Sequence, residues 1–172
     1  MLALCPSLSS CGKEEVEPNI AILNAIAPLD QVRATVLRNP ALLAVPLQAW
    51  HDFFAAIGLE DAQFWQLCCN NPALLLHGSV WQTGNVLMFL QAMGWSELEI
   101  TSIIIPHHAE ILQMDVQSQL QAVVGHLRAR GMSAAEAKAF LHQHPQVLYS
   151  PDYQADIRQL LRRQQLLQLQ CI

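Results

Sequence analysis

"CCNNPALLLHG" (68–78) sets two adjacent cysteines and a histidine around an Asn-Pro step and three leucines. Two readings compete. Cys68, Cys69 and His77 could form a thiol or metal site, or Asn71-Pro72 with Leu74 and Leu75 could punctuate a repeat. The rest of the chain favours the second. "RNPALL" (38–43), "NNPALL" (70–75) and "QHPQVL" (143–148) are versions of one element. "LCPSL" (4–8) is a fourth, and "HHAEIL" (107–112) a fifth, with Ala109 at the proline position. The key positions are 6, 40, 72, 109 and 145, at steps of 34, 32, 37 and 36 residues. Self-similarity at this period is the mark of a helical repeat array.

What lies between the prolines is also periodic. Some 14 residues before each comes a small residue after an apolar run: "FFAAIGL" (Gly58), "FLQAMGW" (Gly94) and "HLRARGM" (Gly131), with "LNAIAPL" in the first unit. Leu47, Trp50, Phe53, Phe54 and Ile57 follow helical spacing, as do Val116, Leu120, Val123, Val124 and Leu127. Gly58, Gly94 and Gly131 sit where a left-handed C-cap needs no side chain. The second helices have their own start signals. Ser96 with Glu99 and Ser133 with Glu136 read as capping boxes, and Asp30 and Asp61 as simpler caps. Proline disfavours helical geometry in the residue before it, so Asn39, Asn71 and His144 should leave the helix. The apolar pairs that follow (Leu42/Leu43, Leu74/Leu75, Ile111/Leu112, Val147/Leu148) should point into the core from a single 3₁₀ turn. A last helix is predicted over 151–169, with Pro151 at its first position and Tyr153, Ile157, Leu160, Leu161 and Leu167 as its stripe. No strand alternation or hairpin signal occurs. The reading is therefore an all-α, curved solenoid of about four units, each helix, Gly, helix, Pro turn, with repeat ends near 4–8, 38–43, 70–75, 107–112 and 143–148.

Repeats of this length with "xPxLL" punctuation resemble the mitochondrial transcription termination factor (mTERF) family. The resemblance runs through nearly the whole chain and is carried by Pro6, Pro40, Pro72 and Pro145, by Gly58, Gly94 and Gly131, and by Leu74, Leu75, Ile111, Leu112 and Leu148. It implies three-helix units, residence in mitochondria or alternatively chloroplasts, and a part in organelle gene expression, including transcription, rRNA binding and ribosome assembly. Members that bind nucleic acid typically use a basic concave groove. The chain departs from the pattern at its start, where Met1 falls beside "LCPSL" inside the end of a repeat. That suggests the C-terminal part of a longer array, or a member reduced to about four units, with a partner or further residues covering the first repeat.

Charge separates the surfaces available to such a protein. The 172 residues are 52% hydrophobic and only 13% charged, with net charge −5. Eighteen glutamines take places where Lys and Glu usually sit, which suits a permanently docked face as well as it suits a Gln-rich proteome. Between Asn39 and Leu127 there is no Lys or Arg, against seven acids: Asp52, Glu60, Asp61, Glu97, Glu99, Glu110 and Asp115. Phosphate is bound chiefly by Lys and Arg, so this span is a poor nucleic-acid surface. The basic cluster is C-terminal: Arg128, Arg130, Arg158, Arg162 and Arg163, with Arg158 and Arg162 on one helix face. These are the candidate contacts to rRNA, other organellar nucleic acid or an acidic partner, although Arg128 and Arg130 also suit a helix C-terminus.

Other reactive residues read as structure. Adjacent Cys68 and Cys69 point about 100° apart on a helix, unlike the C-x₂-C or i, i+4 spacings of metal sites. His107-His108 and His142-x-His144 fail the same test, and His108 and His144 read as turn residues whose side chains bond to backbone. The five cysteines form no framework and are expected as reduced thiols. Trp50, Trp65, Trp81 and Trp95 read as core or interface anchors before base-stacking platforms. No Ser-His-Asp ordering, phosphate loop or carboxylate pair points to an enzyme, and no cofactor, metal or small-molecule substrate is implied. No apolar run reaches the ~18 residues needed to span a bilayer. The expected role is a non-catalytic subunit docked on proteins of a large assembly such as an organelle ribosome. The rivals are an autonomous regulator of transcription or RNA and a general protein-docking solenoid.

Overall fold

The computed structural model describes residues 13–170, and among these no strand occurs. "LCPSL" with Pro6, and Cys5, Cys11 and Cys171, lie outside the described residues. The first unit is α1 (Lys13–Ile26), α2 (Leu29–Arg38) and a 3₁₀ turn, Pro40–Ala44. The second is α3 (Leu47–Ala56), α4 (Asp61–Asn70) and a short helix α5 (Pro72–His77). The third opens with α6 (Val80–Ala92). Its second helix, 97–107, runs as α7 (Glu97–Glu99), a π-helical stretch Ile100–Ile104 and α8 (Ile105–His107), and the 3₁₀ turn Ala109–Gln113 follows. The fourth is a π-helical turn Val116–Leu120 continuing into α9 (Gln121–Ala129), then α10 (Ala134–Gln143) and the 3₁₀ turn Pro145–Tyr149. The C-terminal helix α11 (Tyr153–Gln170) closes the array.

The same backbone device ends each second helix. Asn39, Asn71, His108 and His144 all adopt φ between −131° and −140° with ψ between 34° and 68°. Each donates its N–H to the carbonyl four residues back (Thr35, Leu67, Ile104, Phe140) and accepts from the N–H three residues on (Leu42, Leu74, Ile111, Val147). Both backbone groups are thus satisfied without a side chain. This corrects the expected side-chain bonds of His108 and His144 to backbone: His108 Nδ1 instead meets the Tyr149 hydroxyl at 3.1 Å, and His144 lies 5.0 Å from the Phe140 ring. The apolar pairs after the turn are buried: Leu42, Leu74, Ile111 and Val147 are fully enclosed, with Leu43, Leu75, Leu112 and Leu148 beside them. One of the four elements, α5, is α-helical where 3₁₀ was expected.

Three glycines turn the chain between paired helices. Gly58, Gly94 and Gly131 have φ of 83°, 96° and 89°, a region that penalises any Cβ. The residue after each donates back across six residues: Leu59 to Phe54, Trp95 to Leu90, Met132 to Leu127, at 3.0, 3.1 and 3.4 Å. This is the Schellman closure, and Leu59 and Trp95 bury their side chains as it requires. The boxes at Ser96/Glu99 and Ser133/Glu136 form. Asp30 and Asp61 do not cap. Pro28 occupies the cap position of α2, its carbonyl accepting from Gln31 and Val32 N–H. Glu60 caps α4, where its N–H donates to Gln63 Oε1 at 3.0 Å, and Asp61 turns to His51 instead. Pro151 likewise precedes α11, whose first turn is capped by Asp152 accepting from Ala155 N–H at 3.1 Å. Pro106 lacks an N–H and its ring crowds the preceding turn, which accounts for the widened stretch Ile100–Ile104 just before it.

Neighbouring units pack element on element. First helices stack (α1 on α3, α3 on α6, α9 on α11), α4 packs on α8, and the post-proline elements form a third row: 40–44, α5, 109–113, 145–149. Asn19 ties α1 to the first turn, donating to the Leu43 and Val45 carbonyls at 2.8 and 2.7 Å. The core is continuous along the array, from Leu23 through Trp50, Phe54, Leu74, Leu90, Ile104 and Leu127 to Ile157. That is the expected all-α solenoid, in which no unit hides its apolar side alone.

Candidate nucleic-acid interface

Of the five candidate arginines, α9 and its end supply two and α11 the other three. The Gly131 closure stops α9 with His126 and Arg130 one turn apart, and Arg130 Nε donates to His126 Nε2 at 3.0 Å. The His126 ring meets Tyr153 of α11 edge-on at 5.7 Å. Partial burial, then Arg130 and Arg158, hold His126 below the usual imidazole range, so near neutral pH it is an uncharged acceptor for Arg130. Arg130 thus bonds the ring, while Arg158, 28 positions further in sequence, acts on it through its charge. Arg158 Nε also donates to the Gln154 carbonyl at 3.2 Å. Arg162 lies one turn further on the same face of α11.

The cluster is electrostatically open. All five arginines are exposed, and among the described residues none has a carboxylate within 4.0 Å. The nearby acids of α11 are engaged at its start: Asp152 caps Ala155 and Asp156 accepts from the Ser150 hydroxyl at 2.6 Å. Guanidinium forks not neutralised by an internal carboxylate suit phosphate or an acidic partner. Arg128 and Arg163 do not join the centre. Arg128 is two residues from His126, about 200° round the helix, and Arg163 is about 140° round from Arg158. His126 was missed in the sequence; its i, i+4 spacing to Arg130 was the available signal.

Acids of the cation-free span work in turns. Asp115 accepts from Ser118 N–H and hydroxyl, both at 2.7 Å, and Glu99 accepts from Ser96 N–H at 2.8 Å. These bonds hold both carboxyls below their usual range. His51 meets Asp61 at 2.9 Å.

Cys68 is not a thiolate. Cys68 is fully buried, and burial, with Cys69 beside it, pushes its thiol up to about 12. Cys69 faces the Thr35 hydroxyl at 3.5 Å. His142 stacks on Trp95, centroids 4.2 Å apart, holding α10 against the turn after Gly94. The tryptophans divide: Trp50 and Trp95 are core, Trp65 packs against it, and Trp81 is 78% exposed, outside the core. Among the described residues no helix is long and apolar enough to cross a membrane.

A family model described as mTERF matches residues 1–155. The matched span includes Arg128 and Arg130, whereas Arg158, Arg162 and Arg163 lie beyond it. No curated protein and no solved structure matches the chain.

Proposed function

We propose a function from the premise that this chain belongs to the mTERF family. Proteins of that family are organellar helical-repeat proteins that bind nucleic acid. Our finer reading is a non-catalytic subunit, residues 1–172 acting as one repeat array, docked in a large assembly of organelle gene expression. An organelle ribosome, mitochondrial in the first instance and chloroplast in the second, suits it. The observation that carries this is the division of charge. Arg130 bonds His126 and Arg158 stands on the helix packed against it, at one end of the array and, among the described residues, with no carboxylate within 4.0 Å, while residues 39–127 have no Lys or Arg. An autonomous groove-binding regulator needs cations along the array. A docked subunit needs them only where it touches rRNA.

Gradient sedimentation of organelle extract tests the reading. Co-migration with a large ribonucleoprotein particle is expected, and migration as a free small species overturns it. A salt titration with an rRNA fragment tests the contact. Arg158→Gln with Arg162→Gln should weaken binding and lower the log–log salt slope by about 0.7 per lost contact on single-stranded RNA. Tight binding that survives deletion of residues 152–172 would instead support a regulator using the middle repeats.

A further inference from the structure

Helix α6, VWQTGNVLMFLQA, contains no charged residue. Its inner face is used: Thr83, Val86, Leu87 and Leu90 are buried in the array. Its outer face carries large apolar side chains among the neutral amides Gln82, Asn85 and Gln91. Trp81 and Met88, seven residues apart and so on one stripe, are 78% and 68% exposed. Large apolar side chains exposed together on one stripe of a helix with no charged face mark a surface for a partner. Beside this stripe runs a groove of about 730 Å³, walled by Trp81, Asn85, Met88 and Phe89 of α6 and by Val116 and Gln121 of the next unit.

Length and charge specify what fits. From Trp81 to Ala92 the α6 wall covers eleven residue steps, roughly 16 Å at 1.5 Å each, or three turns of helix. Anchors at i, i+4 and i+7 of a visiting helix would meet it along that length. The charged residue in the lining is Asp115, and the span 39–127 that supplies both walls has no Lys or Arg. Phosphate finds no partner here, and an acidic segment is repelled. Basic flanks are attracted, and the Asn85 and Gln121 amides can bond a neutral backbone end or side chain.

We propose that this groove docks the apolar face of a basic amphipathic helix from a protein partner. The proposal deepens the docked-subunit reading and rests on it. The test places the photo-crosslinking residue p-benzoylphenylalanine at Met88 of the full chain, irradiates it in organelle extract, and sequences the linked segment by mass spectrometry. The expected product is a protein segment with apolar residues at i, i+3/i+4, i+7 and Lys or Arg between them. Adding Trp81→Ser should cut its yield about tenfold, as loss of one aromatic anchor does, with an unchanged far-UV spectrum. A link to RNA, to a second copy of this chain or to an acidic segment overturns the proposal. So does a yield indifferent to Trp81→Ser, or no link. Sedimentation separates the two failures. If the unsubstituted chain still migrates with a large particle, only the groove inference falls; if it migrates free, the docked-subunit reading falls with it.

Discussion

Leu74→Ala tests the repeat punctuation at its most enclosed point. Leu74 has no exposed surface. It stands on α5, which packs on the 3₁₀ turns 40–44 and 109–113 on either side and on α4. Its N–H donates to the Asn71 carbonyl at 3.1 Å and its carbonyl accepts from Gly78 at 2.8 Å, so the backbone is held from both ends. Removing three carbons loses roughly 2.4 kcal/mol of transfer free energy at ~0.8 per methylene. The backbone clamps and three-sided packing limit collapse, so a cavity term adds, and the expected total is about 3–4 kcal/mol within the ~2–5 range for such truncations. For a chain of this size that lowers the midpoint by roughly 2–4 °C per kcal/mol. The assay is urea denaturation followed by far-UV circular dichroism, with Leu98→Ala as the control because Leu98 is 75% exposed. The control should change stability by less than about 0.5 kcal/mol. A loss below about 1 kcal/mol for Leu74→Ala, or equal losses for both, refutes the claim that the post-proline leucines close the core.

Two glycines should respond oppositely to alanine. Gly94 sits at φ +96° with His142 Nε2 3.7 Å from an added Cβ, so Gly94→Ala should cost about 1–2 kcal/mol; Gly125, inside α9 with open space around it, should gain roughly 0.4–1 kcal/mol by the same assay. Cys68 should resist iodoacetamide at pH 8 in the native chain and react after urea unfolding, since its thiol is buried and pushed up to about 12; labelling of native Cys68 by mass spectrometry would contradict this. Cys68→Ser should cost about 1–3 kcal/mol by placing a hydroxyl in an apolar site. Stability should also fall with pH below neutrality. His108, His126 and His144 are all held below their usual range, chiefly by burial, so the unfolded chain takes up protons first, near 6.5; their contribution is complete above that pH and declines as pH falls through the lower folded values. Thermal midpoints that are flat from pH 7.5 to 5.5 would count against it.

The repeat was legible because its determinants are local. Proline biases Asn39, Asn71 and His144 out of the helix, and Gly58, Gly94 and Gly131 admit the positive φ that closes each first helix. Ser-x-x-Glu at 96–99 and 133–136 closes within one turn. The misreadings came where two local solutions compete. At Asp30 and Asp61 the cap position fell instead to Pro28 and Glu60, and Pro151, expected at the first helical position, lies ahead of a helix that begins at Tyr153. For the histidines at the helix ends, a side-chain bond was unnecessary once the backbone satisfied itself.

The sequence by itself determined the unit, its length, and the separation of a cation-free middle from a basic end, because composition and backbone restriction are properties of short segments. Only the tertiary structure decided which outward faces stay uncovered. Trp50 and Trp95 are enclosed, whereas Trp81 on an equally apolar helix is not, since burial depends on what the next unit lays across that face. It likewise decided that α11 packs on α9 and so brings the charge of Arg158 to bear on His126, the ring that Arg130 bonds, since helical spacing alone cannot bring two helices together.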